Sequence, residues 1–449
     1  MTTDQRLPAT LFPTTARLIR FALPAMLAGV TVPLMGMVDV AVLGRLGDPA
    51  VIAAAGVAAS VFTVVAWSFS FLRFTTTGLV AQGAGRDDEG EMVLQGLRPL
   101  AAALLGGLLL IALQGQIIGL GLTFIAPAPE VAALAREYFS VRIFGAPLTL
   151  SLYALNAWLM GAGSPRTMLL VQLFQSVANA ALTIWFILGL GWGIAGAAWG
   201  TVFAEVGATV VVTSVLLLRI APKRWRRQFG RVFEWPAWKR LLSANSDLVI
   251  RTVLLSLSLA LLNERGARLG TLTLAANQIL LQAYLLVATL IDGVSLGAEV
   301  FVGRAVGARN AAALRHIVKR SAVMAAFWGL AVAALVAVAV RFYPPLMTTS
   351  QELITAVRRY WVWQIVLPLA GVWAFMWDGV FFGATYTRAL RNSMLIAAVV
   401  FVAAVFPLSA AFGNHGLWLA LGIQLVVRAV SLAYAWPGLL RSVVGRVPE

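Results

Sequence analysis

Runs of about twenty consecutive apolar residues recur from one end of the chain to the other, and nothing else in it constrains the fold as tightly. A bilayer core about 30 Å thick needs roughly 20 residues of helix, and inside lipid every backbone amide and carbonyl must find its partner within the chain. Blocks such as AALLGGLLLIAL and AVAALVAVAV are apolar at every position, whereas the strands of a membrane barrel alternate apolar with polar. The chain therefore reads as an all-α integral membrane protein. About twelve spans fit, near residues 18–43, 50–72, 96–125, 132–160, 167–190, 194–218, 241–262, 271–297, 316–343, 353–383, 392–412 and 416–440.

Composition excludes several functions. The 449 residues are 60% hydrophobic and 12% charged, more apolar than a soluble domain needs. A formal charge of +16 would point a soluble chain at nucleic acid, but here Lys and Arg gather in loops, where they hold the cytoplasmic side beside anionic lipid. Cysteine is absent, so there is no disulfide or thiolate chemistry. His316 and His415 are too few and too far apart for a metal site, and GAGRDDEG lacks the Lys and Ser/Thr of a phosphate-binding loop. Neither a metal, nor another cofactor, nor an enzyme activity is expected. The first apolar run has no small-residue cleavage site and is long enough to span, so it reads as a retained helix.

The chain also contains a duplication. RLG at Arg45 recurs at Arg268, VAQGAGRDD from Val80 matches VGRAVGARN from Val302, and EVAALAREYF from Glu130 matches ELITAVRRYW from Glu352. Gly161 and Arg166 match Gly383 and Arg388. Three of these four pairs are separated by one and the same offset, and the first departs from it by a single-residue gap. Six spans per copy return the chain to its starting side, so the copies form two six-helix bundles related by a pseudo-two-fold axis along the membrane normal. The halves are residues 1–218 and 241–449, joined by the basic segment 219–240.

Most Lys and Arg fall in the loops that are cytoplasmic if both termini are inside, which leaves Arg251 and Arg428 within helices. The joining segment, RIAPKRWRRQFGRVFEWPAWKR, interleaves Arg and Lys with Trp225, Trp235 and Trp238. It reads as an amphipathic stretch lying on the cytoplasmic lipid surface.

The glycine-bearing loops VAQGAGRDD and FVGRAVGARN, with AANQI at Ala275, NSDLVIRT at Asn245 and WDGVFFGAT at Trp377, together resemble the MATE family, multidrug and toxic compound extrusion, and more narrowly its DinF branch. The resemblance runs from Arg17 to about Ala435 with the motifs in family order. It implies two bundles flanking a cavity that opens alternately to either side, and export of amphipathic, often cationic, compounds in exchange for protons or sodium ions. It also points to Asp39, where the family's helix 1 carboxylate falls.

The residues lead to Asp39 by another route. In MGMVDVAVLGRLG it interrupts an apolar run, and a carboxylate at mid-membrane costs about 2.5 to 3.5 kcal/mol. Desolvation disfavours its charged form, so it can load and release protons. A proton and a cationic substrate then compete for one charge, which is antiport. The plainer alternative is a helix-end carboxylate that caps or pairs with Arg45. With the two RLG stretches aligned, Asp39 falls against Leu262, so the acid is a property of one half.

Pro24 and Pro33 lie in the same helix as candidate hinge positions, and Pro24 matches the family's bending proline. The resemblance places a buried Asn at Asn179, reaching for the helix 1 acid, and Thr183 where archaeal-type relatives carry a second acid. That departure weakens a sodium site. Glu205 faces the same cavity, or pairs with Arg142 or with a lipid-facing basic group. Met35, Tyr153 and Asn156 are further candidate substrate contacts, and Met35, Met37, Phe62 and Phe144 are either an adaptable wall or ordinary packing.

In the second half, Asp247 and Arg251 are one turn apart and read as an intramembrane ion pair. Asp292 and Glu299, seven apart, share a helix face. Asp378 aligns with Asn156 and resembles an acid at which other branches couple ions. The expectation is a monomeric, proton-coupled exporter in the bacterial inner membrane, with small amphipathic molecules and membrane lipids as its partners. Sodium coupling and a flippase for lipid-linked precursors are the alternatives.

Overall fold

A computed structural model of the chain describes residues 11–46, 48–220 and 228–444; the side chains of residues 30, 32–34, 37, 240, 241, 244, 245 and 444 lie outside that description. Among the described residues every regular element is a helix. The first, α1 (Thr15–Gly44), is 30 residues long and uncharged apart from Arg17, Arg20 and Asp39. Asp48 then starts α2 (Pro49–Trp67): its carboxylate accepts the Ala50 amide, and Pro49 occupies a first-turn position that needs no backbone donor. Residues 68–70 join α2 to α3 (Phe71–Gly85) within one span. Next come α4 (Glu89–Ala112), α5 (Gln114–Ile125) and α6 (Pro129–Arg142), the last running through a 3₁₀ turn, Ile143–Gly145, into α7 (Ala146–Gly161). The first half ends with α8 (Pro165–Ile184), its π-helical tail Trp185–Gly189, and α9 (Gly193–Arg219).

The second half holds α10 (Trp235–Arg268), α11 (Thr271–Gly307), α12 (Ala311–Ala339), the short α13 (Tyr343–Met347), α14 (Gln351–Tyr360), α15 (Val362–Gly383), α16 (Thr387–Phe412) and α17 (Asn414–Val444). Among the described residues eleven stretches of helix are long and apolar enough to cross a membrane by length and composition, and the 30-residue α1 is a further candidate. The all-α membrane fold is the expected one, and the twelve-helix architecture is consistent with it.

The duplication is written into the backbone. Asp88 caps α4 at φ −105°, ψ 91° and accepts the Glu91 amide; at the matching place in the second copy Asn310 caps α12 at φ −104°, ψ 96° and accepts the Ala313 amide. Their predecessors Asp87 and Arg309 are left-handed, at φ 56° and 51°, a conformation uncommon away from glycine. The repeated glycines have the same task in each half. A Cβ on Gly161 would lie 2.6 Å from the Thr77 carbonyl oxygen, and one on Gly383 would collide with the carbonyl of Glu299, the counterpart of Thr77 in the second copy. Small residues here let two membrane helices approach backbone to backbone.

By spatial grouping the chain forms two compact units, residues 27–245 and residues 246–449 with the first 26. The sequence division kept all of residues 1–218 together; in the structure the first turns of α1 group with the C-terminal unit. There Ala22 and the Leu18 carbonyl approach Gly297, Phe21 stacks edge-on with Phe301, and the Pro13 carbonyl meets the His316 ring at 3.1 Å.

Trp225, expected on the lipid surface, lies outside the described residues. The rest of the joining segment is partly docked. Arg98, buried within α4, donates to Glu234 at 2.8 Å and to the Arg231 carbonyl at 3.1 Å. Val232 is buried in a core with Leu97 and Trp158, and Trp238 donates to the Val232 carbonyl at 2.9 Å. A guanidinium inside a bundle needs its acceptors, and the segment supplies them. Phe229, Phe233 and Trp235 stay exposed.

Candidate functional site

In the N-terminal unit the polar side chains converge near the end of α1. Asp39, half-buried, accepts a hydrogen bond from the Thr183 hydroxyl at 3.1 Å. Thr183 and Asn179 stand one turn apart on α8 and both are fully buried. Asn179 donates to Thr201 of α9 at 3.0 Å, its amide interacts with Asp39, and its Oδ1 receives no hydrogen bond among the described residues. Asp39, Asn179 and Thr183 are thus brought together.

Beside them lies a buried ion pair. Arg142, the last residue of α6, grips Glu205 of α9 with both terminal nitrogens, Nη1 to Oε2 at 3.1 Å and Nη2 to Oε1 at 2.8 Å. The Thr149 hydroxyl donates to the same Oε1 at 2.8 Å, and the Phe62 ring covers the guanidinium at 3.9 Å. Gly145, in the 3₁₀ turn, makes the space: a Cβ there would sit 2.7 Å from Glu205 Oε2 and against Arg142 Nη1. Of the readings of Glu205, pairing with Arg142 is what the structure contains. Tyr138 and Tyr153 lie within electrostatic reach of this pair.

The other candidates scatter. Met35 is half-buried in α1, and Asn156 is buried in α7 with Oδ1 unpartnered among the described residues. Pro24 is half-buried in the part of α1 that groups with the C-terminal unit, while the side chains of Pro33 and Met37 lie outside the described residues. Phe144 is 52% exposed.

The C-terminal unit corrects one expectation. Asp247 does not pair with Arg251 on its own helix. Its carboxylate takes Arg391 at 2.7 Å and the Thr387 hydroxyl at 2.8 Å, both from α16. Thr387 and Arg391 are one turn apart and satisfy both carboxylate oxygens together. Arg251 instead meets Asp378 at 2.5 Å, and Arg428 reaches the same oxygen at 2.6 Å. Asp378 is therefore clasped by two guanidiniums, with Arg428 and Asp378 each 4% exposed in their side chains. Asp292, half-buried on α11, acts on Arg251, and Glu299 is buried further along the same helix.

Sequence reasoning missed Tyr138, Thr149, Thr201, Thr387 and Arg391. Thr201 had a signal, standing one turn before Glu205 on the same face of α9. Thr387 and Arg391 had a weaker one, standing one turn apart in the polar first turns of α16 beside Arg388, Asn392 and Ser393.

The MatE family model matches this chain twice, at residues 24–185 and 248–408, once per half. The chain is similar to DNA damage-inducible protein F of Escherichia coli, 33% identical over 419 residues, covering 92% of this chain and 90% of that protein. It is also similar to a probable multidrug resistance protein NorM of Bradyrhizobium diazoefficiens, 28% identical over 471 residues, covering 95% and 94%. Its fold is shared with the crystal structure of MATE in the bent conformation, at a TM-score of 0.86 with 97% and 98% of the two chains covered and 19% identity. With its model matched over more than half of the chain, and once in each copy of the repeat, the MATE family is the one to which this protein belongs, as a multi-pass membrane transporter and not an enzyme.

Proposed function

We propose that the chain exports amphipathic organic cations across a bacterial inner membrane in exchange for protons, by alternating access of its two halves, working as a monomer with both termini in the cytoplasm. One observation carries the reading. Glu205, Asp247 and Asp378 each hold a guanidinium, whereas Asp39 forms no ion pair among the described residues and is held by the Thr183 hydroxyl. A carboxylate without a bound cation is the one free to exchange a proton for a cationic cargo. Ionised, it attracts the cation from the cytoplasm; a proton arriving from outside removes the charge and the cation leaves. For one proton against one monovalent cation the exchange is electroneutral, and one pH unit sustains about a tenfold cargo gradient.

The test is efflux of a cationic dye from proteoliposomes across an imposed pH gradient, with and without sodium. Efflux should follow the pH gradient, vanish in Asp39→Asn, and survive in Asp378→Asn combined with Arg251→Gln, which keeps the net charge of the C-terminal cluster. Survival in Asp39→Asn with loss in the double variant moves coupling to the C-terminal half. Sodium coupling is a second reading, supported by the buried, unpartnered Oδ1 of Asn179 beside two other oxygens, Asp39 and Thr183. Efflux driven by a sodium gradient at equal pH selects it.

A further inference from the structure

The Arg142 and Glu205 pair has no place in the exchange just described, yet it is built with care. It is bidentate, a third hydrogen bond from Thr149 fixes the carboxylate, and an aromatic ring covers the guanidinium. The span that carries Arg142 is broken by a 3₁₀ turn at this point, and Gly145 in that turn leaves the pair its room. Arg142 is also the cation that acts on Asp39.

The groups around Asp39 can be counted. Asn179 and Thr183 of α8 and Tyr138 and Arg142 of α6 act directly with it; behind them, Thr201 of α9 takes Asn179 one turn before Glu205, Thr149 of α7 holds Glu205, and Tyr153 of α7 lies within reach of the pair and of Arg73 of α3. Among the described residues the ionised group that acts on Asp39 is therefore Arg142, and Glu205 is the acid bonded to it. With both present, ionised Asp39 gives the trio a net charge of minus one, and protonated Asp39 gives it zero. Without Glu205, ionised Asp39 would face an unneutralised guanidinium, and the trio would carry no net negative charge to offer a cation.

We propose that Glu205 is a positioning residue: by occupying Arg142 it keeps that guanidinium off Asp39, so that Asp39 alone switches the cluster between an anionic and a neutral state. Arg142 and Glu205 touch neither proton nor cargo; their part is to set the charge against which Asp39 works. This rests on the reading of Asp39 as the exchanging acid, but it makes a statement about Asp39 that needs no transport to test. The pairing also explains why a buried acid and base that cancel one another stand here in place of two apolar residues, which is often the more stable choice.

The experiment measures modification of Asp39 by dicyclohexylcarbodiimide, a reagent for protonated carboxyls in apolar surroundings, by peptide mass spectrometry as a function of pH, alongside dye efflux. In the full-length unmodified protein, labelling of Asp39 should rise as the pH falls. Glu205→Gln should suppress Asp39 labelling at least tenfold at a given pH and abolish efflux. Arg142→Gln with Glu205→Gln, which removes both charges, should return labelling and efflux to within about threefold of the starting protein, although neither side chain of the pair is restored. Each variant is checked for a monodisperse, unchanged elution profile. An unchanged Asp39 labelling profile in Glu205→Gln overturns the proposal, as does a folded double variant whose labelling stays suppressed. If labelling behaves as expected but efflux does not depend on Asp39 in any variant, the exchange reading fails while the positioning role stands.

Discussion

Asp378→Asn is expected to damage the protein by unfolding its C-terminal unit and not by uncoupling transport. Asp378 Oδ2 takes Arg251 at 2.5 Å and Arg428 at 2.6 Å, and Arg428 is 4% exposed. Removing the acid leaves two guanidiniums side by side inside a membrane-spanning bundle, with no carboxylate between them. Breaking a buried ion pair from one side costs about 3 to 5 kcal/mol, because the orphaned charge keeps its desolvation penalty. For a unit of this size that lowers the melting temperature by roughly 10 °C, taking a few degrees per kcal/mol. Adding Arg251→Gln removes one of the two stranded charges and should recover part of the loss, though Arg428 remains. Asp39→Asn keeps an oxygen that can accept the Thr183 hydroxyl, which stands 3.1 Å away, and should cost about 1 kcal/mol or less. Tryptophan fluorescence during heating in detergent reads all three variants. A melt of Asp378→Asn within two or so degrees of the starting protein would refute the reasoning, since the arginines would then be satisfied without their acid.

Two further outcomes follow from the packing. Gly383→Ala and Gly161→Ala should each lower the melting temperature, by an amount that corresponds to about 1 to 3 kcal/mol of overpacking, since the added methyl meets a backbone carbonyl in both copies of the repeat; a neutral result at either would mean that the helices part freely there. Arg98→Ala should release the docked turn within the joining segment, and amide exchange of Val232, Glu234 and Trp238 should rise about tenfold for each 1.4 kcal/mol lost, with α9 unchanged.

Much of the site was legible because its chemistry is out of place. A carboxylate in an apolar run is conspicuous without any knowledge of its neighbours, which is how Asp39, Glu205 and Asp378 stood out. Thr183 and Asn179 drew notice only through the family resemblance, because hydroxyls and amides are ordinary in membrane helices. Pairing was the weak point. The spacing of Asp247 and Arg251 argued for a bond along one helix, but each found a better partner on another, and nothing in the local sequence reports how α10 faces α15, α16 and α17. Arg142 was named for Glu205 only as one of several readings, since the choice depends on a 3₁₀ turn and on the space left by Gly145.

By itself, the sequence determined the solvent and the repeat. Lipid accepts no unpaired backbone group, so long apolar runs have to be helices, and a constant offset between the two copies fixes where caps and close-packed glycines recur. The tertiary structure decided which buried charges cancel. An ion pair inside a membrane depends on two helices from distant parts of the chain meeting at one height and one rotation, as α6 and α9 do at Arg142 and Glu205. Whether Asp39 stays unpaired is set there, by the packing of α1, α6, α8 and α9, and in no single stretch of the chain.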